Sequence, residues 1–261
     1  MWSSKQGEKI QGLQDLYRRY SRLGLTNDFD RPLAIDSLQT RILEALSMSG
    51  GFGVFDEGPK KKGMLRRSLL WIRGADTPSL KRIVFPSGRG ISAVPSWSWM
   101  AYTGGIDYIR AAFGRVDWED LQSPWFPSES GQPSNSNEMV VHSEGQGDNI
   151  SLIARARHFD ASLLLRGRPD EGKLVWDTLV QSEQQTEKLM CVVLGRLKEP
   201  AFSSSATVRP TPPRGQLTHY LLIIRETRAR DRNGNRIYER VGAGHLPGRC
   251  ILEEGPIVTI H

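Results

Sequence analysis

Apolar spacing changes at Gly53, and that change limits the chain to a helical start followed by a β-rich remainder. Before it, Ile10, Leu13, Tyr17 and Tyr20 recur at three- and four-residue steps, which places them on one stripe of an amphipathic helix from about Lys5 to Leu23. Gly24 is a suitable stop. Asn27, Asp28 and Asp30 supply cap-type side chains and Pro32 fits a first helical turn. Ile35, Leu38, Ile42 and Leu46 form a second stripe, which Gly50-Gly51 ends. Two helices joined by a short polar turn are expected to pack as a hairpin, each hiding its stripe against the other or against a sheet.

After Gly53, β-branched and aromatic residues come in short bursts between Gly, Pro, Ser and Asn, the pattern of strands separated by turns. Predicted strands are Ser68–Ile72, Lys81–Phe85, Ser96–Ala101, Met139–His142, Ile150–Arg157, Lys173–Thr178, Leu189–Leu197, His219–Glu226 and Ile237–Val241. Arg232-Asn233-Gly234-Asn235 lies between the last two. Asn-Gly allows the positive φ angles of a primed turn, so those strands are expected to pair antiparallel. The fold class is therefore α+β, with an N-terminal helical hairpin and a mostly antiparallel, barrel- or sandwich-like body carrying long loops. Gln122–Asn137 and Pro200–Gln216, rich in Pro, Ser and Asn, read as exposed loops. The first is a candidate boundary between a part spanning 1–121 and a β-rich part spanning 138–261, unless the two are one continuous domain.

The 261 residues are enough to bury a sizeable core, as one large domain or two small ones. Two cysteines, Cys191 and Cys250, cannot build a disulfide framework and offer half a zinc tetrad at best. A reducing compartment is the simpler expectation, cytoplasmic or nuclear. No basic segment leading into an apolar one opens the chain, and no apolar run reaches the roughly 20 residues of a membrane span. The net charge of +6 is small for this length. Much of it sits in Lys60-Lys61-Lys62 with Arg66-Arg67, and in Arg225 to Arg240, where Glu226, Asp231 and Glu239 interrupt it. Mixed signs of that kind mark a solvated hairpin face. Lys60, Lys61, Lys62, Arg66 and Arg67 form a candidate anion-contacting or nuclear-import patch, with a charged loop leading into a strand as the plainer reading.

The most informative stretch is Pro95-Ser96-Trp97-Ser98-Trp99, which holds two of the seven tryptophans. On a strand, Trp97 and Trp99 share one face about 7 Å apart, with Ser96 and Ser98 on the other. Buried, two indoles contribute about 8–12 kcal/mol before entropy is subtracted. Exposed, they would form a platform for stacking bases or sugars, but a bare paired-indole surface invites aggregation, which favours the core.

Ser68-Leu69-Leu70-Trp71, then Ala93-Val94-Pro95-Ser96-Trp97-Ser98-Trp99, then Gly104-Gly105-Ile106-Asp107-Tyr108 resemble the segment that follows the HET (heterokaryon incompatibility) domain in filamentous fungal proteins. Leu16 to Tyr20 with Ser21, Leu25-Thr26 and Asp30-Arg31 resemble the family's lead-in, and Tyr238-Glu239-Arg240-Val241-Gly242 its ending. Arg67 stands where the family has Gly, and Met100-Ala101 where it has Ala-Ser. The HET domain, the part associated with triggering incompatibility and cell death, precedes this region in family members; the chain is expected to start at or just after its end. The resemblance thus implies a non-catalytic accessory region acting in non-self recognition or regulation through protein contacts.

Other patterns carry less. Gly242-Ala243-Gly244-His245-Leu246-Pro247-Gly248 has the wrong spacing for a dinucleotide loop and too little chain after it, so it reads as a glycine-rich turn. His142, His158, His219 and His245 show no metal-ligand spacing, and no G-x-S-x-G elbow marks a nucleophile. No catalytic residue, metal or cofactor is assigned; Trp71, Pro95, Ser96, Trp97, Ser98 and Trp99 are assigned as a structural motif. The competing expectation is a nucleic-acid-binding module built on the basic clusters and aromatics.

Overall fold

A computed structural model describes residues 4–59, 63–86, 94–126, 150–166, 172–178, 189–198, 217–231 and 234–261. Lys60, Lys61 and Lys62, the expected strand Met139–His142, the loop Pro200–Gln216 and most of Gln122–Asn137 lie outside them. Helix α1 (Ser4–Tyr20) and helix α2 (Arg31–Leu46) are joined through a 3-10 turn at Asp28–Asp30. Ile10, Tyr17 and Ile35 are buried in a common core. The α2 stripe departs from its spacing at one point: Leu38 is 43% exposed and Gln39 is buried in its place. Gln39 Oε1 accepts hydrogen bonds from the Gly53 amide (2.8 Å) and the Tyr17 hydroxyl (3.2 Å), a buried demand that leucine could not meet. The expected caps also differ. Asp30 makes no side-chain bond to the helix it precedes, because its carboxylate accepts from the Asn27 amide group instead. Helix α2 ends at Ser47 in a left-handed conformation. Gly50-Gly51, expected to stop the helix, belong to the hairpin β1 (Ser49–Gly51) and β2 (Val54–Asp56).

Helix α3 (Gly63–Leu69) takes up Ser68 and Leu69, the start of the expected strand Ser68–Ile72, and β3 begins only at Trp71 (Trp71–Arg73). The reason lies upstream. Glu57 Oε1 accepts from the amides of Gly63 and Met64, satisfying two donors of the first turn, and Met64 to Arg67 are good helix formers. The short strands β4 (Lys81–Arg82), β5 (Tyr102–Thr103) and β6 (Ile106–Tyr108) follow, β3 pairing with β6 and β4 with β5, both antiparallel.

The body is one eight-stranded sheet of β7 (Val116–Trp118), β8 (Leu121–Gln122), β9 (Leu152–Phe159), β10 (Lys173–Trp176), β11 (Leu189–Leu197), β12 (Thr218–Arg230), β13 (Arg236–Pro247) and β14 (Ile251–Ile260). Strands β9, β11, β12, β13 and β14 pair in a closed ring, since β11 bonds to β9 as well as to β12. The body is thus a barrel. Its pairs are antiparallel except β13 with β14, which a 3-10 turn at Gly248–Cys250 connects. Strands β7 and β8, which end by residue 122, join β11 and β9, so the helical part and the barrel share one sheet.

The continuous apolar runs in β11 and β12 follow from burial on both faces. Met190, Val192 and Leu194 with Tyr220, Leu222 and Ile224 join Leu65, Leu69 and Trp97 in one core. The alternate residues Cys191, Val193, Leu221 and Ile223 join Leu246 and Cys250 in another. Gly242 to Pro247, expected as a glycine-rich turn, form the second half of β13, and β10 lies hard against them. A Cβ at Gly244 would come within 2.2 Å of the Lys173 carbonyl oxygen, so glycine is what lets the third strand approach. The β12–β13 hairpin is present, but its closure is not a two-residue primed turn. The Asp231 amide donates to Asn235 O and the Gly234 amide to Asp231 O, with Gly234 at φ +79°, a three-residue connection with glycine in the left-handed region. Its charges are paired within the hairpin, Arg225 with Glu239 and Arg236 with Glu226.

Candidate functional site

Pro95 to Trp99 do not form a strand. The Ser98 amide donates to Pro95 O, closing a turn, and Ser98 then caps a 3-10 turn at Trp99–Ala101 by accepting from the Met100 amide at 3.0 Å. Proline followed by a capping serine favours this bend over extension. The two indoles therefore enter different cores. Trp97 meets Phe52 and Trp125 edge-on beside the barrel, and Trp99 packs on Tyr17 and Tyr20 of α1. Trp71, Trp97 and Trp99 are each at most 1% exposed, which leaves none of these rings as a stacking platform.

The serines between them act as fasteners. Ser98 Oγ donates to Phe52 O at 2.6 Å. Ser96 Oγ accepts from the Arg240 amide at 2.9 Å and donates to His261 O. Trp71 Nε1 donates to Trp97 O at 2.8 Å. Gly53 lets the β1–β2 hairpin pass over the Trp99 ring. It sits at φ +78°, and a Cβ there would lie 2.2 Å from Trp99 Nε1. Gly53→Ala is expected to cost more than about 2 kcal/mol, combining left-handed strain with overpacking, read as a fall in the urea midpoint. An unchanged midpoint would mean that Trp99 yields freely.

At the centre is Arg240, on β13 and buried completely with Asp177. Its Nε and Nη2 donate to Asp177 Oδ2 and Oδ1 at 3.1 and 3.2 Å, a fork-to-fork pairing. Nη1 donates to Leu69 O at 2.9 Å and Nη2 also to Trp71 O, while the guanidinium lies 3.2 Å above the Trp71 ring centroid. Asp177 is held in turn by its own backbone, donating to Val241 O and accepting from the Leu80 amide. Burial pushes the Asp177 carboxyl up and the Arg240 guanidinium down, and each charge opposes the shift of the other. The Tyr102 hydroxyl, which donates to Arg240 O, is pushed up to about 12 by burial, with Asp177 adding to the shift. Ser96, Ser98, Asp177 and Arg240 thus spend their polar atoms on other parts of the protein, and the arrangement is built to hold segments together.

Trp71, Pro95, Ser96, Trp97, Ser98 and Trp99 are brought into one neighbourhood with Arg240 and Asp177. Arg240 stands in the Tyr238–Gly242 motif, and an arginine amid strand residues was the available signal; Asp177, in a short unremarkable strand end, offered none. Arg66 and Arg67 are elsewhere, and neither belongs to a solvated patch: they are 4% and 5% exposed on α3. Arg66 donates to the carbonyls of Glu119 and Leu121. Arg67 donates to those of Ala111 and Ala112 and stacks on Phe113 and Trp118. Helical backbone carries both side chains inward, where the sequence reading had placed a loop.

No family model, curated protein or solved structure matches this chain. Its own geometry must therefore carry the reading. Among the described residues no group of three or more His, Cys, Asp or Glu side chains could hold a metal ion. Cys191 and Cys250 are buried and form no disulfide, and burial pushes Cys191 up to about 12. Ser151 Oγ lies 2.8 Å from His261 Nε2. No helix of the described residues is long and apolar enough to cross a membrane.

Proposed function

We propose that the chain is a non-catalytic accessory region of a fungal HET-like incompatibility protein, acting in non-self recognition or its regulation through contacts with other proteins in the cytoplasm or nucleus. The observation that carries this reading is convergence. The segments that resemble the family are spread from Leu16 to Gly242, yet they touch one another in a continuous chain of contacts. Tyr20 and Trp99 are ring neighbours, and the Tyr20 hydroxyl donates to Arg31 O. Arg31 Nη1 donates to Ser21 O, and Ser21 Oγ accepts from the Ile106 amide. Trp71 stands opposite Tyr108 across β3 and β6. Trp71 then reaches Trp97, and Arg240 reaches Trp71 and Ser96. Residues retained together for one fold would be expected to meet in this way, and the tightness of the knot favours a scaffold over a reacting centre.

The genomic sequence immediately upstream is expected to hold an in-frame HET domain; a clean upstream region without one would end the reading. The nucleic-acid alternative is separated by a filter-binding titration on the whole chain. Its log affinity should fall steeply as log salt rises if several phosphates are neutralised, and no binding at low salt removes it.

A further inference from the structure

Between α1 and the segment from β6 to β7 lies a pocket of about 310 Å³, lined in part by Gln14, Arg18, Arg67, Tyr108 and Arg110. That volume lies at the small end of the range for ligand sites, about 300–1,000 Å³. Its charges do not balance. Arg18 has Asp15 as an ion-pair partner. Asp107, the other acid of the lining, is engaged through both oxygens, by Arg22 and by the Ala75 amide. Among the described residues no carboxylate pairs with Arg67 or Arg110, which leaves two cations uncompensated.

Arg67 is the unusual one. A guanidinium lying 4.3 Å from the Phe113 centroid and 5.1 Å from that of Trp118, bonded only to carbonyls, is a largely desolvated charge with no directly paired carboxylate among the described residues, Glu57 acting on it only from a distance. Burial draws it down to about 10, still charged at neutral pH. Neutral polar groups accompany it. The Tyr108 hydroxyl is bonded to none of the described residues, and burial pushes it up, so it remains a donor. Gln14 spends its amide nitrogen on Arg67 O, and its carbonyl oxygen is bonded to none of the described residues.

We propose that this pocket binds a small phosphate monoester, its dianionic head placed between Arg67 and Arg110 with the Tyr108 hydroxyl as a neutral donor. Two unpaired cations match a group carrying about −1.5 to −2 at neutral pH, whereas a monocarboxylate leaves one charge over. The planar fork of Arg110 suits a tetrahedral oxyanion, and Arg67, whose Nη1 and Nη2 already donate to the Ala111 and Ala112 carbonyls, adds its charge and its remaining N–H groups.

Calorimetric titration of the whole chain with O-phospho-L-serine, inorganic phosphate and succinate tests this. The phosphate monoester is expected to saturate a single class of site with a dissociation constant of about 1 mM or tighter. Inorganic phosphate should bind more weakly and succinate not measurably. Arg110→Ala removes an exposed side chain, so its urea midpoint should equal that of the wild type while affinity falls about tenfold or more, the scale of one lost charge-assisted contact. Tyr108→Phe should lower affinity by a smaller factor. Absence of saturable heat up to about 10 mM phospho-serine, equal binding of succinate, or unchanged affinity in Arg110→Ala would each overturn the assignment.

Discussion

Asp177→Ala is expected to lower the unfolding free energy by about 3–5 kcal/mol, the scale measured when one partner of a buried ion pair is removed and the other stays charged. Arg240 cannot escape to water. It is buried completely, its guanidinium is bonded to Leu69 O and Trp71 O, and it sits over an indole. Nor does it shed its proton readily at neutral pH. A loss of that size consumes much of the roughly 5–15 kcal/mol that holds a typical domain together, so the variant should have a greatly reduced urea midpoint. Asp177→Asn keeps the shape and one acceptor but not the charge, and should fall between. The double variant Asp177→Leu with Arg240→Met shows which part of the effect is electrostatic. It removes the orphaned charge, yet it also strips the carbonyls of Leu69 and Trp71 of their donors, each costing about 1–3 kcal/mol when left unpaired in the interior. Partial recovery is therefore expected. An Asp177→Ala midpoint equivalent to within about 0.5 kcal/mol of the wild type, the range of ordinary surface substitutions, would mean that water reaches Arg240 and that the knot is looser than its geometry implies.

The same knot shows where sequence periodicity informs and where it fails. Strand β11 was legible to the residue, since Leu189–Leu197 is apolar nearly throughout. Strands β12 and β13 were recognised but expected too short. Their ends carry Arg, Thr and Gly, residues that look like loop yet stay in the ladder by pairing Arg236 with Glu226, by the Thr227 hydroxyl donating to Ile237 O, or by yielding space to β10. Strand β14 was missed because Leu252-Glu253-Glu254-Gly255-Pro256 interrupts its apolar pattern; its register slips at the same place, between Ile251 and Glu254 and again before Ile257. Helix α3 was misread because its N-terminal donors are satisfied by Glu57, six residues before it starts, which no local pattern shows. In the site, the burial of the tryptophans could be argued from their size, while their separation into two cores could not. Period-two alternation assumes an extended chain, and a turn closed by Ser98 onto Pro95 breaks that assumption.

Trp97→Ala should destabilise by about 3–5 kcal/mol, as expected when a large aromatic is removed from a core that cannot collapse around it. The surroundings are stiff. Phe52 and Trp125 contact the ring edge-on, and its own backbone carbonyl is held by Trp71 Nε1. Truncation to alanine mixes lost packing with a lost polar group, and a pair of milder changes separates them. Trp97 Nε1 is buried without a partner among the described residues, whereas Trp71 Nε1 has one. Replacing either indole by phenylalanine removes a similar volume, but Trp97→Phe deletes an N–H whose burial is itself unfavourable, and Trp71→Phe deletes a working hydrogen bond and weakens the face beneath Arg240. Trp71→Phe should therefore be the more costly by about 1 kcal/mol or more, measured as the difference in unfolding free energy in urea. Equal losses would show that Trp97 Nε1 finds a partner in solution. A Trp97→Ala protein as stable as the wild type would go further and remove the ring from the core altogether, and with it the physical basis for reading Pro95 to Trp99 as a fastener.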